Sequence, residues 1–197
     1  MESRAARMRG CLIEVLETLV LTFVIFFVVQ HFVAQPYQIL QQSMVPTLNQ
    51  YEYVLVDKLS PNWSDYKRGD IIVFEPPPGF RENGPDIPFI KRVIGVPGDS
   101  VEVREGAVWV NGVKLDEPYV FPGQPTTAWT EQTKWVVPKG KLFVMGDHRA
   151  ASQDSRAFGP IERSSVIGRA WLRYWGGPFG FVGSAAYEGI PDRTPAP

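Results

Sequence analysis

Cysteine is nearly absent: Cys11 stands alone among 197 residues, which excludes an internal disulfide and any zinc site built on several thiolates. Histidine is almost as scarce. His31 and His148 are the whole supply, too few for most imidazole-based metal sites, so neither a metal nor another cofactor is expected. A basic excess is missing too: 20 Lys and Arg stand against 21 Asp and Glu, for a formal net charge of -1, and no dense positive stripe is visible. Without one to neutralise phosphates, nucleic acid is not an expected partner. After residue 35 the chain also lacks a convincing helical period, so its core must come from strands.

What is abundant is apolar length at the start. "TLVLTFVIFFVVQHFVA", Thr18 to Ala34, carries no formal charge and, with the preceding "CLI", approaches the roughly 20 apolar residues that cross a bilayer as a helix. Glu14 and Glu17 shorten it near one end, where side chains can reach the headgroups. Arg4, Arg7 and Arg9 precede the run and no comparable cluster follows, so the positive-inside rule puts the N-terminus in the cytoplasm. The expected organisation is a cytoplasmic N-terminus (1–10), a transmembrane anchor (11–34), an exported β-rich domain (35–183) and a flexible C-terminal tail (184–197). A cleaved signal peptide shares this charge order, but it ends at a small-x-small site, and "HFVAQP" offers only Val33 and Ala34.

Beyond Pro36 the pattern becomes short runs of period two, separated by Gly, Pro and Asn. Strands are expected at 51–58, 70–75, 89–96, 100–105, 107–110, 141–147 and 165–175. "REGA" can close one hairpin, and "VNGV" carries the Asn-Gly pair favoured by a type I′ turn. The fold class is therefore mainly β, a mostly antiparallel catalytic domain behind one N-terminal transmembrane helix. Long loops fall at 76–88 and 116–133.

Two residues carry candidate chemistry. Ser43, in "LQQSMVPTL", is a weak nucleophile unless a base lies close by. Lysine can be that base where burial disfavours its ammonium form, and Lys91 sits between apolar residues in "PFIKRVIGVPGD". Taken alone, Ser43 reads as a turn serine and Lys91 as a surface strand lysine.

Four segments together change that. "SMVPTL" (43–48), "RGDIIVF" (68–74), "FIKRVIGVPGD" (89–99) and "GDHRAASQDSRAFGPI" (146–161) resemble, in this order and behind an apolar anchor, the blocks of the bacterial type I signal peptidases, or leader peptidases. The resemblance implies a serine endopeptidase with Ser43 as nucleophile and Lys91 as general base. Ser152 falls where the family holds a serine that orients the lysine amine, and Asp154 and Arg156 fall on framework positions. Arg92 and Asp147 would form a supporting ion pair. Met44 would belong to the substrate floor, and the Ser43 backbone N–H would be an oxyanion donor. Implied substrates are the signal peptides of secretory preproteins, cut after small residues at the outer face of the bacterial cytoplasmic membrane, near the secretion translocase.

Two departures stand out. Where the family commonly has a small residue before the nucleophile, this chain has Gln41, whose side-chain amide could replace a hydroxyl as second oxyanion donor. His148 and Ala151 replace residues usual in the last block. They keep open a serine-histidine enzyme using His148, and a catalytically inactive relative that binds preproteins or translocation components. In "WLRYWGGPFGFVG", Trp171 reads as a core strand residue, whereas Trp175, Phe179 and Phe181 suit a headgroup interface.

Overall fold

The computed structural model describes residues 4–80 and 87–191. Residues 1–3 of the expected cytoplasmic segment, 81–86 of the first long loop and 192–197 of the expected tail lie outside the described residues. The chain begins with helix α1 (Arg4–Val28), continues through a π-helical turn (Val29–Val33) and enters strand β1 (Ala34–Gln38). The helical geometry thus stops before Ala34, which already pairs with Asp57. Apolar side chains of α1 from Leu12 to Val28 are exposed. Among the described residues, no helix is long and apolar enough to cross a membrane; Glu14 and Glu17 leave only a short uncharged stretch before the π turn.

Among the described residues eleven further strands follow: β2 (Tyr53–Asp57), β3 (Ile71–Phe74), β4 (Phe89–Gly95), β5 (Ser100–Arg104), β6 (Ala107–Val110), β7 (Val113–Lys114), β8 (Lys134–Val136), β9 (Lys141–Met145), β10 (Ile161–Glu162), β11 (Val166–Trp175) and β12 (Gly180–Phe181). A short helix α2 (Ser155–Phe158) precedes β10. Every strand pair is antiparallel. The larger sheet runs β1-β2-β11-β3-β4-β9-β10, with β12 on β11, and the smaller runs β7-β6-β5-β8. The fold is therefore mainly antiparallel β, as the alternating apolar pattern requires.

The two expected turns close as their residues dictate. Glu105-Gly106 and Asn111-Gly112 all have positive φ, the geometry of a type I′ turn, and they join β5 to β6 and β6 to β7. Strands β3 and β4 are buried along their whole length; β3 is a continuous apolar run, whereas β4 buries Lys91 and Arg92 among its apolar residues. One core cluster lies beneath the smaller sheet and includes Ile94, Val101, Trp135 and Phe143. A second joins Ile39, Met44, Leu48, Val54, Val56, Ile71, Val73 and Ile90. A third contains Tyr66, Ile72, Phe74, Phe89, Val93 and Leu142. Ile90 belongs to the second and Phe89 and Val93 to the third, which leaves Lys91 between two apolar masses.

Two expectations need correction. The tail does not fray from residue 184: Ala185 N–H donates to Gly69 O, Pro191 O accepts from Asn111 Nδ2, and Tyr187 and Ile190 pack against the first core cluster. Gly69 makes room for it, because with φ +92° a Cβ there would come within 1.9 Å of Ala185 O. Trp171 is not a core residue but 47% exposed. Strand β11 turns it outward against Phe181, with ring centroids 5.6 Å apart.

Candidate active site

Ser43 lies in the turn after edge strand β1, which the chain reaches through Ile39, still paired with the Tyr51–Glu52 segment. The turn is clamped at its far end. Buried Glu52 accepts hydrogen bonds from the backbone and side chain of Asn49, and Arg173 bridges Glu52 to Thr47 O. Met44 and Leu48 plug the same turn into the core. Met44 is 0% exposed, so its side chain fills the interior and offers no surface to a substrate, contrary to the expected floor role.

Lys91, in the middle of β4, points its amine at that turn. Nζ donates to Ser43 Oγ at 2.7 Å, and the lysine is only 1% exposed. Burial, first of all, holds its pKa down from 10.5 to about 8; Asp154 and Asp147 partly oppose this, and Arg156 adds to it. The cause is desolvation, which penalises the ammonium form more than the neutral amine.

Behind this pair lies a framework of buried charge. Arg92, next to Lys91 but on the other side of the strand, forks onto Asp147 through Nε at 2.9 Å and Nη2 at 2.7 Å. Its Nη1 donates to Gly69 O, and its guanidinium lies 3.9 Å from the Tyr119 ring centroid. Asp147 also accepts from Thr47 Oγ1, which ties the serine turn to the 146–148 loop. Asp154 caps helix α2 by accepting from Arg156 N, and it holds the Arg156 guanidinium through Nε and Nη2, each at 2.8 Å. Such forks suit buried pairs because both charges are satisfied directionally.

Ser152 is fully buried, and its hydroxyl donates to Asp154 Oδ2 at 2.7 Å. Among the described residues, no hydrogen bond joins it to Lys91 Nζ. His148 donates its backbone N–H to Ser43 O at 2.9 Å. Its ring stacks on Phe121 with centroids 4.3 Å apart, and its buried Nδ1 has no hydrogen-bond partner among the described residues. Gln41, Gln38, Leu40, Ile87, Pro88 and Ile90 line a groove beside the serine turn. Among the described residues no acceptor takes the Ser43 backbone N–H.

Sequence reasoning missed four contributors. A Cβ on Gly146 would lie 2.3 Å from Ser152 Oγ and 2.5 Å from Ser43 O, so only glycine lets these segments meet. Thr47 was passed over inside "SMVPTL". Arg149, which is buried, is ion-paired to Glu117 and bonded through Nε to Gly146 O at 3.0 Å. Only its position in a charged block beside "GD" hinted at this.

A hydroxyl held against a desolvated amine is an arrangement able to generate an oxygen nucleophile, the chemistry of hydrolytic acyl transfer. The family model "Signal peptidase, peptidase S26" matches residues 12–175. A signal peptidase I of Leptolyngbya laminosa is 38% identical over 166 residues, covering 83% of this chain and 80% of its own. A signal peptidase IB of Staphylococcus aureus is 38% identical over 183 residues, covering 85% of this chain and 92% of its own. The crystal structure of a signal peptidase I from Enterococcus faecalis V583 is 35% identical, with a TM-score of 0.44, over 54% of this chain and 97% of that one. The chain belongs to the signal peptidase family, peptidase S26.

Proposed function

We propose that this chain is a membrane-anchored serine endopeptidase that removes signal peptides from translocated preproteins, with Ser43 as nucleophile and Lys91 as general base. The observation that carries the reading is the 2.7 Å contact between Lys91 Nζ and Ser43 Oγ in a buried site where the amine pKa is about 8. With the amine neutral, the same contact runs the other way, Ser43 O–H donating. Lys91 takes that proton as Oγ attacks the carbonyl after a small residue. The oxyanion draws hydrogen bonds from the Ser43 N–H and the Gln41 side-chain amide, each donor contributing on the order of 3 kcal/mol. Protonated Lys91 then returns the proton to the departing amine. A water, deprotonated by the same lysine, opens the ester and frees Ser43. No cofactor enters.

Edge strand β1 supports the binding mode, since an extended peptide can add to its free side and run toward Ser43. The groove beside Gln41, Ile87 and Ile90 is then the place where small side chains are selected. Ser152, Asp154 and Arg156 form one supporting network and Arg92 and Asp147 another; Ser152 orients Lys91 through Asp154 rather than by direct contact. Exposed apolar side chains along α1, with the uncharged sequence continuing to Ala34, support a seat in the bacterial inner membrane with the N-terminus cytoplasmic. Trp175, Phe179 and Phe181, all exposed, would rest in the headgroups of the outer leaflet, near the secretion translocase.

The test is cleavage of a preprotein with an Ala-x-Ala site by the solubilised full chain and its variants at matched folding. Ser43→Ala and Lys91→Ala abolish cleavage, while His148→Ala keeps it. Loss with His148→Ala and survival of Lys91→Ala would make histidine the base. A wild type that binds but never cuts would favour the inactive preprotein-binding relative.

A further inference from the structure

The C-terminal segment packs where the framework behind Ser43 converges. Tyr119 uses its one hydroxyl proton on Glu117 Oε1 at 2.7 Å, so the short contact between the Tyr187 and Tyr119 hydroxyls must have Tyr187 as donor. Glu117 in turn holds Arg149, whose Nε donates to Gly146 O. A second route starts at the same ring: the Arg92 guanidinium sits over Tyr119, 3.9 Å from its centroid, and forks onto Asp147. Ala185 and Arg92 also share Gly69 O as acceptor. Both routes end on Gly146 and Asp147. Asp147 touches the serine turn by accepting from Thr47 Oγ1, and the next residue, His148, does so by donating its N–H to Ser43 O.

We propose that residues 185–191 form a positioning strap, in which Tyr187 acts through Tyr119, Glu117 and Arg149, and through Arg92, to hold the 146–148 loop against Ser43. This rests on the reading of Ser43 as nucleophile. Tyr187 touches neither Ser43 nor Lys91, so it is a positioning residue and not a catalytic one. Burial first, and then the Glu117 charge, keep the Tyr119 hydroxyl protonated far above neutral pH, so the chain of donors persists across the working range. The sequence holds the clue only in retrospect: Tyr187 stands in "SAAYEG", a small-residue segment that resembles loose tail.

The experiment is hydrogen–deuterium exchange on the full solubilised chain, run beside cleavage kinetics, for wild type, Tyr187→Phe, Tyr119→Phe, the double variant and Ile190→Ala. Tyr187→Phe keeps the ring packing and removes only the donor. Exchange of the amides of residues 146–148 should rise about tenfold, kcat should fall about tenfold and KM should stay within about twofold, because a small misplacement of a positioned nucleophile acts on the chemical step. The double variant should be no worse than the worse single, as expected for two links of one chain. Ile190→Ala, in the same strap but packed on the first core cluster, should speed exchange in the smaller sheet and leave residues 146–148 protected. Unchanged exchange at 146–148 in Tyr187→Phe overturns the strap, whatever the activity. Faster exchange with unchanged kcat in an enzyme that Ser43→Ala inactivates also overturns it, while leaving the nucleophile reading intact. Cleavage that survives Ser43→Ala defeats that reading and the strap together.

Discussion

Lys91 makes the protein less stable than it could be, and the cost can be measured. Its amine pKa falls from 10.5 to about 8 on folding, chiefly through burial, which corresponds to about 3 kcal/mol of penalty on the charged form. The sign follows from proton counting. Below pH 8 both folded and unfolded chains carry the proton, and the folded state bears the whole penalty. Between 8 and 10.5 the unfolded chain keeps a proton that the folded chain has released, so the lysine's contribution to stability rises with pH. Above 10.5 the penalty is gone. Lys91→Met replaces the amine with an apolar side chain of similar length between two apolar masses. At pH 7 it should stabilise the fold by about 1–3 kcal/mol, less than the full penalty because the bond to Ser43 is lost. For a chain of this size that is a rise in Tm of several degrees, about 2–4 °C per kcal/mol. The variant should also be inactive. The assay is urea unfolding of the solubilised protein from pH 7 to 10.5, wild type against variant. The gap should close as pH rises through that window. A variant less stable than wild type at pH 7, or a gap that does not change with pH, would refute the claim that Lys91 is a desolvated amine.

Other outcomes follow from the same contacts. Gly146→Ala should destabilise by about 2–4 kcal/mol, because a methyl group cannot fit 2.3–2.5 Å from Ser152 Oγ and Ser43 O; urea midpoints and turnover should fall together. Asp147→Asn should cost about 3–5 kcal/mol by leaving the buried Arg92 without its counter-charge. An Arg92→Met, Asp147→Leu pair should recover much of that stability but not the activity. Replacing Trp175, Phe179 and Phe181 together by Ser should weaken liposome association of the full chain's exported domain when freed from α1, and unchanged association would remove the interfacial assignment.

The parts of the fold legible in the sequence were those written in local chemistry. Asn111-Gly112 states its own turn, and the apolar run of β3 reads as a buried strand. That Ser43 and Lys91 meet could be expected only from the four-block order, since nothing local to "QSMVP" sets its serine apart from any turn hydroxyl. Strand β1 was hidden because Pro36 looks like a terminator, although an edge strand tolerates proline where no ladder partner needs its N–H. Trp171 was misplaced for a related reason: which face a residue presents depends on register, and the bulges of β11 at residues 170–172 and 173–175 shift it. The ion-paired core of Arg92, Asp147, Arg149, Asp154 and Arg156 is invisible to composition, because a charge reads as solvated until its partner, up to 55 residues away, is known. The tail was misread on the same ground, since its anchors at Gly69, Asn111 and Tyr119 lie far back in the chain.

The most direct test of the central claim is the pH dependence of kcat/KM for preprotein cleavage. That profile reports the free enzyme's essential groups. With Lys91 as base, activity should rise through an acidic limb with an apparent pKa of about 8, and His148→Ala should leave the limb where it is. An acidic limb lying well below 8 that disappears in His148→Ala would contradict the account.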